Sequence, residues 1–198
     1  GACMPEQADA IRENVPLAPF TSIKVGGPAD TLAICSSFAA VTRALRFAAD
    51  RGAPVAVVGK GSNLIVDDEG FRGLVIRLAG RLSSISVRGA RTLWCGGGAS
   101  LPRAVQRAAN AGLTGLEFGA SIPGTVGGAV AMNAGAYSSD LSQVLDWAVV
   151  CDVEGRRRVG REDLAMGYRR TAVAGDQVVA AAGFLLSPGD TGDIRSRL

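Results

Sequence analysis

Three glycine-rich segments contain most of the residues in this sequence whose types and spacing could do chemistry. The first is Gly59-Lys60-Gly61-Ser62-Asn63, which follows a short apolar run. Glycine permits close backbone approach and positive φ, so successive N–H groups in such a segment can form a nest for an anion. Lys60 adds a cation, and Ser62 and Asn63 add hydroxyl and amide donors. The segment therefore suits a pyrophosphate, although Gly-Ser-Asn is also an ordinary turn sequence.

Neither common phosphate-binding fingerprint describes this segment. The dinucleotide fingerprint needs a third glycine and a helix directly after the loop, whereas the downstream context here is strand-like. The Gly-Lys-Ser/Thr ending of a nucleoside-triphosphate loop is also absent. The second glycine run, Gly96-Gly97-Gly98, carries less information, because a turn that leads into a helix would also explain it.

The third segment, residues 115–137, is rich in small residues and lacks both the helical and the strand period over much of its length. Few structural requirements would call for so many small side chains in one stretch. A flat apolar cofactor that lies against the main chain is one such requirement. An isoalloxazine ring needs such a slot, with backbone donors and acceptors around its pyrimidine edge. A tightly packed loop with no ligand is the alternative.

The absence of histidine narrows the chemistry. It excludes Ser-His-Asp and Cys-His nucleophiles, histidine-ligated metals and histidine proton shuttles. The cysteines Cys3, Cys35, Cys95 and Cys151 are scattered without C-x-x-C spacing, so we expect buried free thiols, no metal site and no disulfide. Proton or hydride chemistry must then use Ser, Tyr, Lys, Arg, carboxylates or a bound cofactor.

Composition predicts a globular, cytoplasmic protein. The chain is 47% hydrophobic and 20% charged, which is enough apolar content for a packed core. No stretch approaches the ~20 apolar residues of a membrane span, and no apolar run follows basic residues at the N-terminus as in a signal peptide. A net charge of +3 with 5% aromatic residues does not favour a nucleic-acid partner. The basic cluster Arg156-Arg157-Arg158 follows Glu154-Gly155 and is typical of a solvated hairpin turn.

The elements that must position these segments follow from apolar spacing and glycine punctuation. After a polar leader, a strand leads to a helix capped by Ser36 or Ser37, with Gly52 just past its end. An acidic turn occupies residues 67–70. The strands predicted in this first unit are Thr31–Ile34, Val55–Val58, Leu64–Val66 and Leu74–Leu78. The order indicates a β-α-β unit that ends near Gly80.

A second unit contains one clear helix, which is capped by Ser100, has Pro102 in its first turn and Gly112 just past its end. We also expect a short helix near Arg161–Leu164. The strands predicted in this unit are Ser83–Val87, Thr92–Cys95, Trp147–Val153 and Val178–Leu186. The fold is therefore predicted to be α+β with two subdomains.

Two stretches of the third segment, Ile122–Ala129 and Met132–Tyr137, closely resemble the flavin-binding signature of the UDP-N-acetylenolpyruvoylglucosamine reductases (UDP-N-acetylmuramate dehydrogenases). Further matches occur in the family's order at Thr21-Ser22, Val25-Gly26-Gly27-Pro28-Ala29, Gly59-Lys60-Gly61-Ser62-Asn63, Gly115-Leu116-Glu117 and Gly167-Tyr168-Arg169. The resemblance runs from about Asn14 to about Asp190. Several motifs in the correct order make it far more specific than any single glycine loop.

The resemblance implies an FAD-binding PCMH-type (vanillyl-alcohol-oxidase-like) fold, in which FAD lies between two α+β subdomains. The family's pyrophosphate and ribityl contacts would map onto Gly59, Lys60, Gly61, Ser62 and Asn63. Its isoalloxazine contacts would map onto Ser121, Ile122, Pro123, Gly124, Thr125, Val126, Gly127, Gly128, Asn133, Ala134, Gly135 and Ala136. The implied divisions are a leader at 1–20, FAD-binding subdomains at 21–80 and 81–190, and the start of a further domain at 191–198.

The implied reaction uses NADPH to reduce FAD, and the reduced flavin then reduces the enolpyruvyl group of UDP-N-acetylglucosamine enolpyruvate to give UDP-N-acetylmuramate for peptidoglycan synthesis. In the family, the arginine that matches Arg169 lies beside the substrate carboxylate and the developing enolate. A permanently charged planar donor suits both roles. Tyr168 would contact substrate as a packing and orienting residue.

The family's proton-donating serine and a C-terminal glutamate belong to stretches that have no match here, so we expect negligible turnover from this chain alone. Three hypotheses follow. The chain is a fragment of a reductase. It is a stand-alone flavin-binding module, with no reductase activity of its own or with a separate chain that supplies the missing domain. Or it is an FAD-dependent oxidase or dehydrogenase of the same fold with another substrate. Tyr168-Arg169, in the family's order, favours the first.

Overall fold

The computed structural model of the chain describes residues 9–21, 24–61 and 67–198. The predicted strand Leu64–Val66 lies outside the described residues, as do Ser62 and Asn63. The first part of the chain forms β1 (Ile11–Pro16), β2 (Pro28–Cys35), α1 (Phe38–Ala49), β3 (Val55–Val57) and β4 (Phe71–Leu78). The middle part forms β5 (Ile85–Arg88), β6 (Thr92–Gly96), α2 (Leu101–Asn110), β7 (Leu113–Thr114), α3 (Val126–Ala131), β8 (Gly135–Ala136) and β9 (Ser139–Asp140). The last part forms β10 (Leu145–Cys151), β11 (Arg156–Gly160), β12 (Val178–Leu185), β13 (Ser187–Pro188) and α4 (Thr191–Ser196).

The first sheet has the order β1-β2-β4-β3, and β2, β4 and β3 run parallel. Helix α1 connects β2 to β3, which confirms the predicted β-α-β unit. Its N-terminus is capped by Ser37, whose Oγ accepts a hydrogen bond from the N–H of Ala40 at 3.2 Å. The acidic turn before β4 is also confirmed, since the N–H of Gly70 donates to the carbonyl of Asp67.

Strand β1 differs from the sequence prediction, which places its residues in a polar leader. It pairs antiparallel with β2, from Ile11 opposite Ala33 to Pro16 opposite Pro28. The strand lies at the edge of the sheet, and its side chains are exposed or half-buried. Edge strands are free to carry polar residues, so composition does not separate such a strand from a loop.

The second sheet is antiparallel, with the order β11-β10-β12-β6-β5. The predicted strand Trp147–Val153 instead spans Leu145–Cys151, because Asp152 accepts hydrogen bonds from the N–H groups of Glu154 and Gly155 and starts the hairpin turn. Arg156-Arg157-Arg158 therefore lies in edge strand β11 and not in the turn. Its three exposed arginines place charge on an open sheet edge, which discourages edge-to-edge pairing.

One other local prediction is wrong, and two helices were not predicted. Residues 161–165 form turns, not a helix, and the N–H of Ala172 donates to Leu164 at 2.7 Å to close this region. Helix α3 was not predicted because its sequence contains two glycines, which weaken helix propensity. Thr125 caps it, and Val126 and Val130 are fully buried. Helix α4 was also not predicted; Asp190 caps it through the N–H groups of its first turn.

Helix α1 packs between the two sheets. Its buried side chains contact β4 of the first sheet and Cys151, Val178 and Ala180 of the second. The opposite face of the second sheet packs against α2 and α3 in a larger core. Mixed helices and sheets confirm the α+β class, while the predicted domain boundaries stay predictions. None of the helices in the described ranges is long and apolar enough to cross a membrane.

The Gly96-Gly97-Gly98 run lies where the second sheet meets the start of α2. The N–H of Gly97 donates to Ala180 at 2.8 Å, and a Cβ atom at residue 97 would lie 2.1 Å from the carbonyl oxygen of Val179. Only glycine allows this approach. The run therefore serves backbone packing at a turn into a helix, which was the plainer of its two interpretations.

Candidate functional site

A cavity of about 570 Å³ opens beside the end of β3 and the segment around α3. It contains residues from both of the glycine segments that predicted a ligand, and one residue from the turn at 167–170. The lining residues are Val57, Val58, Gly59, Lys60, Gly61, Ser121, Ile122, Pro123, Gly124, Thr125, Gly128, Ala129, Met132, Ala134, Gly135, Ala136 and Arg169. The size falls within the range of roughly 300–1,000 Å³ typical of cofactor and small-molecule sites.

The first wall is the loop after β3. A Cβ atom at Gly59 would lie 2.7 Å from Oγ1 of Thr125, and one at Gly61, whose φ is +66°, would lie 2.1 Å from the carbonyl oxygen of Phe20. Both positions therefore require glycine to bring the backbone this close. Lys60 lies between them in the cavity wall. The two remaining predicted residues of this loop, Ser62 and Asn63, fall outside the described ranges.

The second wall is the segment that leads into α3. A 3₁₀ helix at Glu117–Ser121 delivers the chain to the lining residues 121–125, and Thr125 then caps α3 through the N–H of Gly128. Val126 and Gly127 are not brought to the cavity. Val126 is fully buried in the core, and the N–H of Gly127 donates to Gly97 at 2.7 Å. These two residues stabilise the wall from its buried side.

Glu117 anchors the start of that wall. Its carboxylate accepts hydrogen bonds from Oγ1 of Thr114 at 2.5 Å and from the N–H of Gly115 at 2.6 Å, and it pairs with Arg197 at 3.0 Å. Burial alone would raise the pKa of Glu117, but the hydrogen bonds from Thr114 and Gly115 and the Arg197 charge outweigh it and hold the pKa below its ordinary value. The ionised carboxylate thus fixes the segment that precedes the cavity.

The third wall follows α3 and consists of Ala134, Gly135 and Ala136. Asn133 precedes it but is only 3% exposed and does not line the cavity. Its Nδ2 donates to the carbonyl of Gly167 at 2.9 Å, and its Oδ1 accepts from the N–H of Ser142 at 3.1 Å. Asn133 therefore ties the end of α3 to the Tyr-Arg turn.

That turn separates the two predicted substrate residues. The N–H of Gly167 donates to Arg170, and the N–H of Arg170 donates back to Gly167, so Tyr168 and Arg169 form the tip. Arg169 lines the cavity, with a φ of +52° in the left-handed region. Tyr168 is 88% exposed and does not line it, although its ring centre lies 6.0 Å from Cζ of Arg169.

Four lining residues were not predicted: Val57, Val58, Ala129 and Met132. Val57 is 47% exposed and Met132 is 48% exposed, so each presents apolar surface to the cavity. The available signal was their position, since Val57 ends the strand before the first glycine loop and Met132 belongs to the motif that starts the third wall.

The charged residues of the described cavity wall are all cationic. Lys60 and Arg169 are cations, and none of the lining residues is a carboxylate. Clusters of three or more His, Cys, Asp or Glu residues that could hold a metal do not occur in the ranges that the structure describes. The cavity thus combines an apolar wall, closely approaching backbone and positive charge, which suits an anionic ligand with a flat apolar part.

Comparison with known families and proteins agrees with this geometry. The FAD-binding domain family matches residues 29–159. A UDP-N-acetylenolpyruvoylglucosamine reductase of Rubrobacter xylanophilus is 44% identical over 191 residues, which cover 96% of this chain and 64% of that protein. A second such reductase, from Symbiobacterium thermophilum, is 43% identical over 182 residues, covering 91% of this chain and 59% of that protein. The chain thus spans about three fifths of the length of these curated relatives.

Solved structures give the same result for the fold. A UDP-N-acetylenolpyruvylglucosamine reductase from Thermus caldophilus superposes with a TM-score of 0.82 at 36% identity, covering 95% of this chain and 67% of that one. The 6-hydroxy-D-nicotine oxidase from Arthrobacter nicotinovorans, at 21% identity and a TM-score of 0.61, shares the fold alone. The predicted PCMH-type fold is confirmed. The chain belongs to the FAD-binding domain family and, within it, to the UDP-N-acetylenolpyruvoylglucosamine reductases.

Proposed function

We propose that this chain supplies the FAD-binding part of a UDP-N-acetylmuramate dehydrogenase. The reaction is the NADPH-dependent reduction of UDP-N-acetylglucosamine enolpyruvate to UDP-N-acetylmuramate, a step of peptidoglycan precursor synthesis on which cell shape and division depend. The observation that carries the proposal is Arg169, which stands at the wall of a cavity that also contains both glycine segments.

The cavity fits FAD in its chemistry. We assign the pyrophosphate to the loop at Gly59, Lys60 and Gly61, where glycine brings main chain and a cation to the surface. We assign the isoalloxazine to the small residues of the second and third walls, with Met132 and Val57 as added apolar contacts. When bound, FAD would accept a hydride from NADPH and deliver it to the enolpyruvyl group.

Among the residues of this chain, Arg169 is the one that would act directly on the substrate. Its guanidinium would hold the substrate carboxylate in two-point geometry and stabilise negative charge as it develops on the enolpyruvyl group. Tyr168 would orient the substrate from the exposed side of the turn. The cytoplasmic location stays a prediction of the sequence.

The test begins with flavin. The purified chain, freed of unbound flavin, should show a bound-flavin absorption spectrum near one equivalent. Anaerobic NADPH should then bleach the flavin of the full-length gene product, and the UDP-enolpyruvyl sugar should restore its colour. A folded protein that stays colourless with added FAD would contradict the cofactor assignment. Rapid oxygen consumption with an alcohol or acid donor, without a response to the UDP-sugar, would contradict the substrate assignment.

A further inference from the structure

We propose that Thr171 is a positioning residue for the reaction, because its hydroxyl holds the turn that carries Arg169 against the cavity wall. The inference rests on the proposed function, since it takes Arg169 as the residue that contacts substrate. Thr171 itself does not line the cavity.

The turn needs external support to hold one arrangement. Tyr168, Arg169 and Arg170 are all exposed, so their side chains bury little surface that could anchor them. The left-handed backbone at Arg169 adds strain, because the Cβ atom of a non-glycine residue disfavours this conformation. Strained, exposed turns keep one geometry only when neighbouring contacts determine it.

Thr171 provides one of these contacts. Its Oγ1 donates a hydrogen bond of 2.7 Å to the carbonyl of Ala131, and it accepts one from the N–H of Val173 at 3.4 Å. Ala131 is the last residue of α3, so its carbonyl belongs to the group at a helix C-terminus that lacks partners within the helix. Ala129 and Met132, on either side of Ala131, line the cavity. The hydroxyl therefore joins the Arg169 turn directly to a cavity wall.

Asn133 provides the contact at the other end. Its Nδ2 donates to the carbonyl of Gly167 at 2.9 Å. The segment 167–171 is thus tied at its first residue to Asn133 and at its last residue to Ala131, which lie two residues apart at the C-terminus of α3. Arg169 lies midway between the two ties. Loss of either tie should let the turn pivot about the other and move the guanidinium away from the cavity.

The consequence is specific to one half of the reaction. Flavin reduction by NADPH involves no enolpyruvyl carboxylate, so it should not depend on where Arg169 lies. Reoxidation of the reduced flavin by the UDP-enolpyruvyl sugar should depend on it strongly, because small displacements of a positioning group are costly to rate.

The experiment compares Thr171→Val, which removes the hydroxyl from a side chain of the same shape, with Thr171→Ser, which keeps it. Thr31→Val is the matched control, since Oγ1 of Thr31 also donates to a main-chain carbonyl, that of Gly73, in the first sheet. Arg169→Ala serves as the reference. Amide hydrogen exchange at residues 167–170 reports the turn directly. Stopped-flow absorbance of the flavin in the full-length gene product separates the two half-reactions.

We expect Thr171→Val to speed amide exchange in the turn and to slow flavin reoxidation by the UDP-sugar, each on the order of tenfold, with flavin content and the NADPH step unchanged. Thr171→Ser should restore both, and Thr31→Val should change neither. Unchanged exchange in Thr171→Val overturns the inference whatever the activity. Unchanged flavin reoxidation in Thr171→Val also overturns the inference, provided that Arg169→Ala slows reoxidation. If Arg169→Ala itself leaves reoxidation unchanged, the proposed role of Arg169 fails, and so does the catalytic part of this inference.

Discussion

Gly59 and Thr125 approach so closely that a Cβ atom at residue 59 would lie 2.7 Å from Oγ1 and 2.8 Å from Cγ2 of the threonine. The two residues belong to different cavity walls, one in the loop after β3 and the other at the cap of α3. Thr125 cannot easily move away, because β-branched side chains are restricted at χ1 and its Oγ1 accepts from the N–H of Gly128. The close approach of the two walls at this point therefore depends on the absence of a side chain at residue 59.

Gly59→Ala should accordingly weaken FAD binding. The added methyl must push the loop or Thr125 out of place, and overpacking of this kind costs roughly 1–3 kcal/mol, which is on the order of tenfold or more in affinity. Gly175→Ala is the control, because a Cβ atom there would meet nothing within 4 Å. Flavin titration followed by fluorescence measures both. Equal affinities in the two variants would show that the loop after β3 does not contact the cofactor.

Arg169→Ala should lower turnover of the full-length gene product far more than its flavin content. A fixed charged donor that stabilises a developing negative charge contributes on the order of 10²-fold to rate, whereas the cofactor contacts assigned above involve other residues. Arg103→Ala, at an exposed position of α2, is the control. Turnover and the flavin-to-protein absorbance ratio are measured together. A parallel loss of turnover and bound flavin would make Arg169 a structural residue.

Much of the cavity wall was predictable from the sequence, because the segments that form it are rich in glycine and other small residues. What composition could not predict was which side of each segment faces the cavity. Asn133 and Gly127 lie inside the same motif as Ala134 and Gly128, yet they face the protein and serve packing or hydrogen bonding. For Gly127 and Gly128 the difference is set by their positions in the first turn of α3, a helix that was not predicted because of its glycines.

Prediction of the fold from the sequence also succeeded for some elements and failed for others. The β-α-β unit around α1 was predictable because apolar periodicity and a serine cap coincide there. Strand β1 was not, because pairing with β2 forms it and its own sequence carries little signal. The turn at Glu154-Gly155 was predicted correctly, but the strand before it was predicted to end two residues late because the side chain of Asp152 sets the turn, and β11 was not predicted.

The free energy of unfolding should fall in mild acid because the Glu117 carboxylate becomes protonated. Its pKa is lower in the folded protein than the ordinary value of 4.5, so the folded state binds the proton less tightly than the unfolded state does. The stabilisation is therefore fully present above about pH 4.5 and is lost as pH falls through the lower folded value. Urea unfolding at pH 7 and pH 4 should show a smaller loss in Glu117→Gln than in the unchanged protein. Glu162→Gln, at an exposed site, should not reduce the loss.

The pKa values of the buried thiols are raised, whereas the pKa of Glu117 is lowered. Burial raises the pKa of Cys35 and of Cys95 from 9.0 to about 12, and that of Cys151 to about 11, with nearby Asp9 adding to the effect at Cys35. All three are free and buried, as predicted, while Cys3 lies outside the described residues. A raised pKa keeps the thiols protonated and unreactive in the folded state.

We therefore expect stability to decline in alkali as unfolded thiols ionise while folded ones do not. The stabilisation is complete below about pH 9 and is lost as pH rises toward 11–12, at on the order of 1 kcal/mol per thiol for each pH unit in that range. In a Cys3→Ser background, urea unfolding at pH 8 and pH 10 measures the decline, and Cys95→Ala should make it shallower. A thiol reagent at pH 8 should label the three cysteines only at the rate of unfolding. Rapid labelling of native protein would show that the core around α1 and the second sheet opens far more readily than its packing implies.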